Sequence, residues 1–487
     1  MKRPFFLALI IMLLGLLAVS QTESKPQPQQ PSSSGPAHSE PAQKQEPGKE
    51  HRITPEETKE LFQSVDEILH FASERTLLPV KHPVKKSMVS RADVEKYLEE
   101  KFRDDVDRMR FERSELVLKK FGLLPRTFDL HSFLIKLLGE QVAGYYDETT
   151  KTINLLDWVE LDMQRPVMAH ELTHALQDQS FDLHRMMKKY EDVEKRGPEE
   201  PNALIKIDEE STCRTAVTEG QAMIVLLDYI LAPAGRTVET SPQFVDLMQA
   251  QMEKHGDSPM LDSAPLLLRE ELVFPYGQGM KFIEQLLKHG GKKLAYSGVF
   301  ENMPRTTREI MQPEEYLAGH RIAPLLLPDM GFLKKDFDPF DAGAMGQLDV
   351  SLLMRQYADE KTASRISPEW RGGAYYAAGR KSARPSDPTS TAHIGMIYVS
   401  KWSTDKAAQD FAHVYATALP QRYSKVERVK TGEGNGLAEQ YTSADGPIFI
   451  ERHGEVVVIV ESFDEATAGK LITAVLKQVQ EKPQAGN

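Results

Sequence analysis

The sequence predicts an α+β protein, in which a mostly helical domain with a small β-hairpin precedes a smaller α+β domain with an antiparallel sheet. A length of 487 residues is too great for one ordinary domain. Apolar residues recur at helical spacing through most of residues 53–335. Over residues 343–480, short runs typical of strands are separated by turn residues and mixed with helical patterns. These two ranges are therefore the predicted domains.

The N-terminus has the features of a secretory signal peptide over residues 1–20. Lys2 and Arg3 precede an apolar run, Phe5 to Val19, that ends in small residues suited to cleavage. The run is shorter than the roughly 20 apolar residues of a membrane-spanning helix, and no later segment is expected to be apolar enough to span. We therefore expect an exported protein, periplasmic or secreted, which stays tethered to a membrane only if the signal is not cleaved.

The next segment, residues 21–52, is predicted to be a disordered linker. It is rich in Pro, Gln, Ser and Glu, so it cannot bury enough apolar surface to offset the entropy of ordering. The first helix is predicted to begin where Thr54 and Glu57 can form a capping box around Pro55. Further helices are expected at about 90–121, 131–138, 204–231, 241–254 and 277–289, and from Thr306.

Turn residues and apolar runs complete the predicted order of elements. Residues 141–146 and 152–156 are predicted to pair as a β-hairpin, followed by a helix that begins near Pro166. Prolines and glycines over residues 324–343 predict a loop at a domain boundary. Beyond it we expect strands at 372–379, 393–400, 437–442 and in a hairpin over 446–463, and helices at 404–419 and 466–479.

Charge and cysteine content narrow the classes of function. The formal net charge of -12 offers no basic face to neutralise phosphates, so no nucleic-acid partner is expected. The single cysteine, Cys213, cannot form an intramolecular disulfide. A small buried apolar residue is the more frequent role of a lone cysteine. The sequence does not indicate an oligomeric state.

The residues VMAHELTHALQDQ, from Val167 to Gln179, contain two histidines four positions apart. On an α-helix, His170 and His174 lie on one face, so both imidazoles can bind one metal ion. Glu171 is offset by about 100° from His170, from where its carboxylate can reach a water on that metal. The pattern predicts a Zn²⁺ site with Glu171 as general base. A coincidental polar patch is disfavoured, because such residues among apolar neighbours are costly without a metal.

A catalytic zinc ion usually has three protein ligands, so a further ligand is needed. The metzincin pattern would place Gly and His where Gln177 and Ser180 stand, so the third ligand is expected on another helix. Glu219 is the candidate, because small residues around it would let its helix approach the motif helix closely. These small residues are Ala216, Gly220 and Ala222. Glu209 and Glu210 compete for the role, but they lie near the expected helix start, where acids are common for dipole reasons.

Over residues 141–231 the sequence resembles the gluzincin branch of zinc metallopeptidases, which combine HExxH with a glutamate in an EGxA-like stretch, here beginning at Glu219. The resemblance implies a zincin-like fold with an active-site helix, a glutamate-bearing helix and a small sheet. It also implies a zinc-dependent endopeptidase for peptide or protein substrates, with Glu171 as general base. The edge strand that aligns the substrate would carry Tyr145 and Tyr146, although a purely structural hairpin is equally consistent.

Two further residues are candidates for supporting roles. Many gluzincins hold a ligand histidine with an aspartate four residues after the ligand glutamate, where this sequence has Met223. Asp178, one turn beyond His174, could orient that histidine instead, or could be a solvated helix residue. Tyr276 is the candidate for stabilising the oxyanion, and a packed loop aromatic is the alternative.

A second class of function remains open on the sequence. The chain could be a non-catalytic exported binding or assembly protein in which zinc braces two helices. Glu171 favours the enzyme, because a structural zinc site gains nothing from a general base. The C-terminal domain has no cluster of titratable residues with ligand spacing, so an accessory role is expected for it.

Overall fold

The fold is described from a computed structural model, which covers residues 52–102, 105–142, 144–253, 258–382, 390–429 and 438–481. The predicted signal peptide and all of the predicted linker except Arg52 lie outside these residues. As predicted, the protein is α+β. A mostly helical N-terminal region with a small mixed sheet precedes a C-terminal region with a seven-stranded antiparallel sheet.

The helices of the N-terminal region differ from the predicted ones mainly in length. They are α1 (Pro55–Thr76), α2 (Arg91–Phe102), α3 (Asp105–Phe121), α4 (Leu130–Gln141), α5 (Leu161–Phe181), α6 (Leu183–Glu194), α7 (Pro201–Leu231), α8 (Gln243–Glu253), α9 (Pro259–Asp262), α10 (Leu266–Lys293), α11 (Val299–Glu301), α12 (Thr307–Met311) and α13 (Pro313–Leu317). The capping box of Thr54 and Glu57 is present at the start of α1. The helix expected at 90–121 corresponds to α2 and α3, and residues 103 and 104 between them lie outside the described residues. Helix α10 begins well before the predicted residue 277 and contains Pro275 in its interior.

The small sheet contains the predicted hairpin and one strand that was not predicted. Its strands are β1 (Lys85–Val89), β2 (Tyr145–Asp147) and β3 (Thr152–Leu156), in the order β1-β3-β2. β2 and β3 are antiparallel, whereas β1 pairs in parallel with β3. β2 is therefore an edge strand. The Gln164 side chain ties α5 to β3, since it donates to the carbonyl of Leu156 and accepts from its N–H.

The C-terminal sheet begins inside the segment that was predicted to be a boundary loop. Its strands are β4 (Phe337–Ala344), β5 (Trp370–Arg380), β6 (Ile394–Trp402), β7 (Glu427–Arg428), β8 (Ala438–Ser443), β9 (Gly446–His453) and β10 (Val456–Glu461), in the order β4-β5-β6-β10-β9-β8-β7. The helices are α14 (Gln347–Tyr357), α15 (Glu360–Ile366), α16 (Asp405–Arg422) and α17 (Glu465–Glu481). The loop prediction is wrong over 337–343, because β4 is an edge strand and its register shift at Pro339 accommodates the proline.

Helix α7 joins the two regions. Near the start of the helix, Leu204 and Ile205 belong to the hydrophobic core between the C-terminal sheet and α17. The Asp208 carboxylate accepts a hydrogen bond from the backbone N–H of Ala344 at the end of β4, at 2.8 Å. Farther along the helix, Val217 and Ile224 belong to the core of the N-terminal helices. The direction of α7 is therefore fixed at one end by the sheet and along the rest by the helical region.

Helix α7 also has the length and composition of a membrane-spanning helix. With its 3₁₀ continuation it runs from Pro201 to Ala234, and within the described residues it is the one helix that passes this test. The prediction that no segment after the N-terminus is apolar enough is therefore wrong. Burial explains the apolar composition, since 78% of an apolar 18-residue stretch of this helix lies inside the protein.

Candidate metal centre

Helix α5 is buried although much of its sequence is polar. Every residue from Pro166 to Asp178 is buried, and His170 and Glu171 are 0% exposed. A polar group removed from water is costly unless it has a hydrogen-bond or ion partner. The partners of these side chains therefore define what the site can do.

Three side chains from α5 and α7 converge with their ligand atoms facing one another. His170 Nε2 lies 3.1 Å from Glu219 Oε2 and 3.1 Å from His174 Nε2. His174 Nε2 lies 3.4 Å from Glu219 Oε2. In a tetrahedral zinc site with bonds of about 2.0–2.1 Å, neighbouring ligand atoms are about 3.3 Å apart. The three residues therefore fit one divalent cation, and they form the one such group of His, Cys, Asp or Glu among the described residues.

The ionisation of these groups favours a bound cation. Burial alone would raise the pKa of Glu219, but the charge of His174 and hydrogen bonds from both histidines lower this pKa to about 2. Burial would lower the pKa of His174, but the charge of Glu219 raises it to about 9. Burial lowers the pKa of His170. An anionic carboxylate and two imidazole nitrogens thus face a common point, where a metal can replace a proton.

The Glu171 carboxylate is held beside this group by a backbone amide. Tyr146 in β2 donates its N–H to Glu171 Oε2 at 2.7 Å. The other oxygen, Oε1, is buried and has no hydrogen-bond partner among the described residues. Burial raises the pKa of Glu171 to about 8, and a divalent cation nearby would lower that pKa. One oxygen is therefore fixed in place and the other is available to take up a proton.

The structure does not bring Asp178 to His174. The Asp178 carboxylate accepts hydrogen bonds from the Tyr146 hydroxyl at 2.9 Å, from Lys151 Nζ at 2.6 Å and from the backbone N–H of Leu183 at 3.1 Å. It is buried rather than solvated. Asp178 therefore fixes the β2–β3 hairpin to the end of α5 instead of orienting a ligand.

The residue that contacts Nδ1 of His174 is Gln177, which the sequence analysis did not single out. Its Oε1 lies 2.9 Å from His174 Nδ1. The available signal was its spacing, since positions three and four residues apart on a helix are both neighbours. That spacing alone does not separate Gln177 from Asp178.

The three tyrosine candidates lie around the site in different roles. Tyr276 is buried within α10, not in a loop, and its ring centroid lies 6.3 Å from that of His170. Tyr145 stacks on Tyr97 of α2, with ring centroids 4.9 Å apart. Tyr146 gives its backbone N–H to Glu171, so this amide of the edge strand β2 is already engaged. Substrate alignment by β2 and oxyanion stabilisation by Tyr276 stay predictions.

The two competing glutamates on α7 have other partners. Glu209 accepts hydrogen bonds from the backbone N–H and the hydroxyl of Thr307, both at 2.8 Å, at the start of α12. Glu210 accepts a hydrogen bond from the Tyr190 hydroxyl at 3.4 Å. Among the three candidates, Glu219 is the one that faces the histidines.

The small residues beside Glu219 serve a different contact from the predicted one. A Cβ atom at Gly220 would lie 2.3 Å from the carbonyl oxygen of Gly279, and one at Gly279 would lie 2.1 Å from the carbonyl oxygen of Ala216. Gly220 and Ala216 therefore let α7 approach α10, rather than α5, backbone to backbone. This contact places the helix of Tyr276 against the helix of Glu219.

Substitution of Gly279 by alanine is expected to destabilise the protein, although alanine is the better helix former by about 1 kcal/mol. The added methyl group would force α7 and α10 apart, and overpacking of this kind costs about 1–3 kcal/mol. The control is Gly469→Ala in α17, where a Cβ atom would meet nothing within 4 Å. Thermal unfolding should show a lowered midpoint for the first variant and an unchanged or raised midpoint for the second. Equal midpoints would contradict the close contact.

Comparison with known proteins reaches only the C-terminal region. A family described as a domain of unknown function, DUF8575, matches residues 337–472, from the start of β4 into α17. No curated protein and no solved structure matches the chain. The matched region contains neither α5 nor α7, so it gives no information about the His170, His174 and Glu219 group.

Proposed function

We propose that the protein is an exported zinc-dependent endopeptidase of the gluzincin type, acting on peptide or protein substrates. The observation that carries the proposal is the combination of three convergent ligand atoms with a fourth group, Glu171, whose second oxygen has no partner among the described residues. A site that only binds metal has no use for such a carboxylate. Export is proposed from the N-terminal sequence alone.

Each side chain of the group would have a separate role in hydrolysis. His170, His174 and Glu219 would hold the metal, and a bound Zn²⁺ supplies a Lewis acid that acidifies water and polarises a carbonyl. Glu171 Oε1 would accept a proton from the attacking water and return it to the leaving amine. The Tyr146 N–H keeps Glu171 Oε2 in place, so the carboxylate does not lose orientation between the two transfers. Tyr276 would stabilise negative charge on the substrate oxygen.

The test of this function is the turnover of an unfolded protein by the full chain. We expect casein to be cleaved, cleavage to stop after treatment with a chelator, and cleavage to return when stoichiometric Zn²⁺ is added. Mass spectrometry of the products should show cuts at internal peptide bonds. Cleavage that survives complete removal of zinc would contradict the proposal.

The non-catalytic alternative has one observation in its favour. His170, Glu171, His174 and Glu219 are at most 6% exposed, which also suits a metal that braces α5 against α7. On that reading zinc would raise the thermal unfolding midpoint, because a ligand that binds only the folded state stabilises it. A chain that binds zinc, is stabilised by it and cleaves nothing in a broad substrate panel would support the alternative.

A further inference from the structure

The hydrogen bonds on the far side of His174 form a chain that crosses from α5 to α7. His174 Nδ1 lies 2.9 Å from Gln177 Oε1. Gln177 Nε2 donates to the carbonyl of Thr218 at 3.0 Å and to Gln221 Oε1 at 2.8 Å. Gln221 Nε2 donates to the carbonyl of Ala295 at 2.6 Å. Gln177 and Gln221 are 0% exposed, so this chain is shielded from solvent.

The direction of every bond in this chain is fixed by its ends. A backbone carbonyl can only accept, so the amide nitrogens of Gln177 and Gln221 must face Thr218 and Ala295. The Gln177 oxygen is then turned toward His174, and an amide oxygen can only accept. The proton of this bond must therefore be on Nδ1 of His174. Nε2, which faces Glu219, is left as the nitrogen whose lone pair can bind a metal.

The same chain of hydrogen bonds also positions Glu219, the third proposed ligand, because Gln177 bonds to the carbonyl of Thr218, which directly precedes Glu219 in α7. Gln177 thus holds the ring of one ligand and the backbone next to another. His170 has no comparable support, since its Nδ1 is buried and has no hydrogen-bond partner among the described residues. Asp178, the nearby carboxylate, is engaged by Lys151 and Tyr146.

We infer that Gln177 and Gln221 are positioning residues that select the metal-binding tautomer of His174 through an uncharged amide relay. A carboxylate in the place of Gln177 would add a negative charge beside His174, which already interacts with the charges of Glu219 and Glu171. It would also face two acceptors, the Thr218 carbonyl and Gln221 Oε1, without a proton to donate. The amide supplies orientation without either cost. This inference rests on the metal centre of the proposed function but not on peptide hydrolysis.

The experiment measures zinc binding by the full chain in competition with a chromophoric chelator. Loss of a hydrogen-bond partner behind a metal ligand costs about 10- to 100-fold in metal affinity, and we expect a loss in this range for Gln177→Leu. Gln221→Leu should cause a smaller loss. The double variant should bind zinc about as weakly as Gln177→Leu alone, because Gln221 acts through Gln177. Gln179→Leu is the control, since Gln179 lies on the same helix but bonds to the backbone of Lys81 and His82.

A spectroscopic measurement separates positioning from a general effect on stability. In protein loaded with Co²⁺, the Nδ1–H of His174 should give a proton resonance that exchanges slowly with solvent, because Gln177 accepts it in a buried site. The Gln177→Leu variant should lose this slow resonance, and Gln179→Leu should keep it. If Gln177→Leu does not fold, faster exchange and weaker zinc binding in Gln221→Leu are the expected results.

The outcomes distinguish the relay from the metal centre itself. Wild-type zinc affinity and an unchanged slow resonance in both Gln177→Leu and Gln221→Leu would overturn the relay and leave the metal centre intact. Failure of the unmodified chain to bind zinc would overturn both.

Discussion

Replacement of Glu171 by glutamine is expected to abolish most of the proposed peptidase activity while leaving bound zinc in place. The amide has nearly the same shape as the carboxylate and can still accept the Tyr146 N–H at its oxygen, but it cannot take up a proton. Loss of a general base lowers turnover by about 10²- to 10⁴-fold. The measurement is kcat on casein or a fluorogenic peptide, together with zinc content of the same preparation.

A glutamate elsewhere in the chain provides the control for this substitution. Glu210→Gln, on α7, changes a carboxylate whose partner is the Tyr190 hydroxyl, and its turnover should stay near that of the unmodified protein. If Glu171→Gln cleaves substrate at the unmodified rate, Glu171 is not the base. If it loses activity together with its zinc, the residue acts in metal retention instead.

The second large effect is expected for Glu219→Ala, which removes the candidate metal ligand on α7. Loss of a hydrogen-bond partner of a metal ligand lowers metal affinity by up to about 100-fold. Zinc affinity should fall further in Glu219→Ala, because one of three bonds from the protein to the metal would be lost. Two histidines four residues apart would remain on α5, without the carboxylate that neutralises the cation. Metal analysis after dialysis should find zinc in the unmodified protein and little in the variant.

Alanine substitutions of Glu209 and Glu210 are the controls for this prediction. Glu210→Ala should retain zinc. Glu209→Ala should retain it too, although this variant loses the bonds to Thr307 and is expected to unfold at a lower temperature. Undiminished zinc content in Glu219→Ala would contradict the prediction. Loss of zinc only in Glu209→Ala or only in Glu210→Ala would indicate that this other acid is the ligand.

The parts of this molecule that follow from local sequence could be predicted. The capping box at Thr54, the β2–β3 hairpin and the helix carrying His170 and His174 depend on residues within one turn or one strand of each other. Glu219 was singled out as well, but the helix-start argument against Glu209 and Glu210 does not hold, because α7 begins at Pro201 and both lie beyond its first two turns.

The strands that depend on distant partners could not be predicted. β1, Lys85-Lys-Ser-Met-Val89, has no alternating pattern. It becomes a strand because it pairs with β3, whose residues lie 67 positions later in the sequence. β4 contains Pro339 and Gly343, which predict a loop. An edge strand tolerates a proline, since one side of it forms no ladder.

The orientation of side chains within the site also could not be predicted from the sequence. Gln177 and Asp178 are three and four residues after His174, and only tertiary packing turns the first toward the ligand and the second toward Lys151. Likewise, the spacing of Ala216 and Gly220 indicates a close helix contact but not which helix makes it. In the structure, α7 makes that contact with α10.

The location of bound zinc tests the metal centre most directly. Crystals of the full chain grown with zinc, measured on both sides of the zinc absorption edge, should show one strong anomalous peak. It should lie about 2.0–2.2 Å from His170 Nε2, His174 Nε2 and one oxygen of Glu219. A peak bound to other residues, or no peak between these three side chains in crystals that contain zinc, would contradict the account.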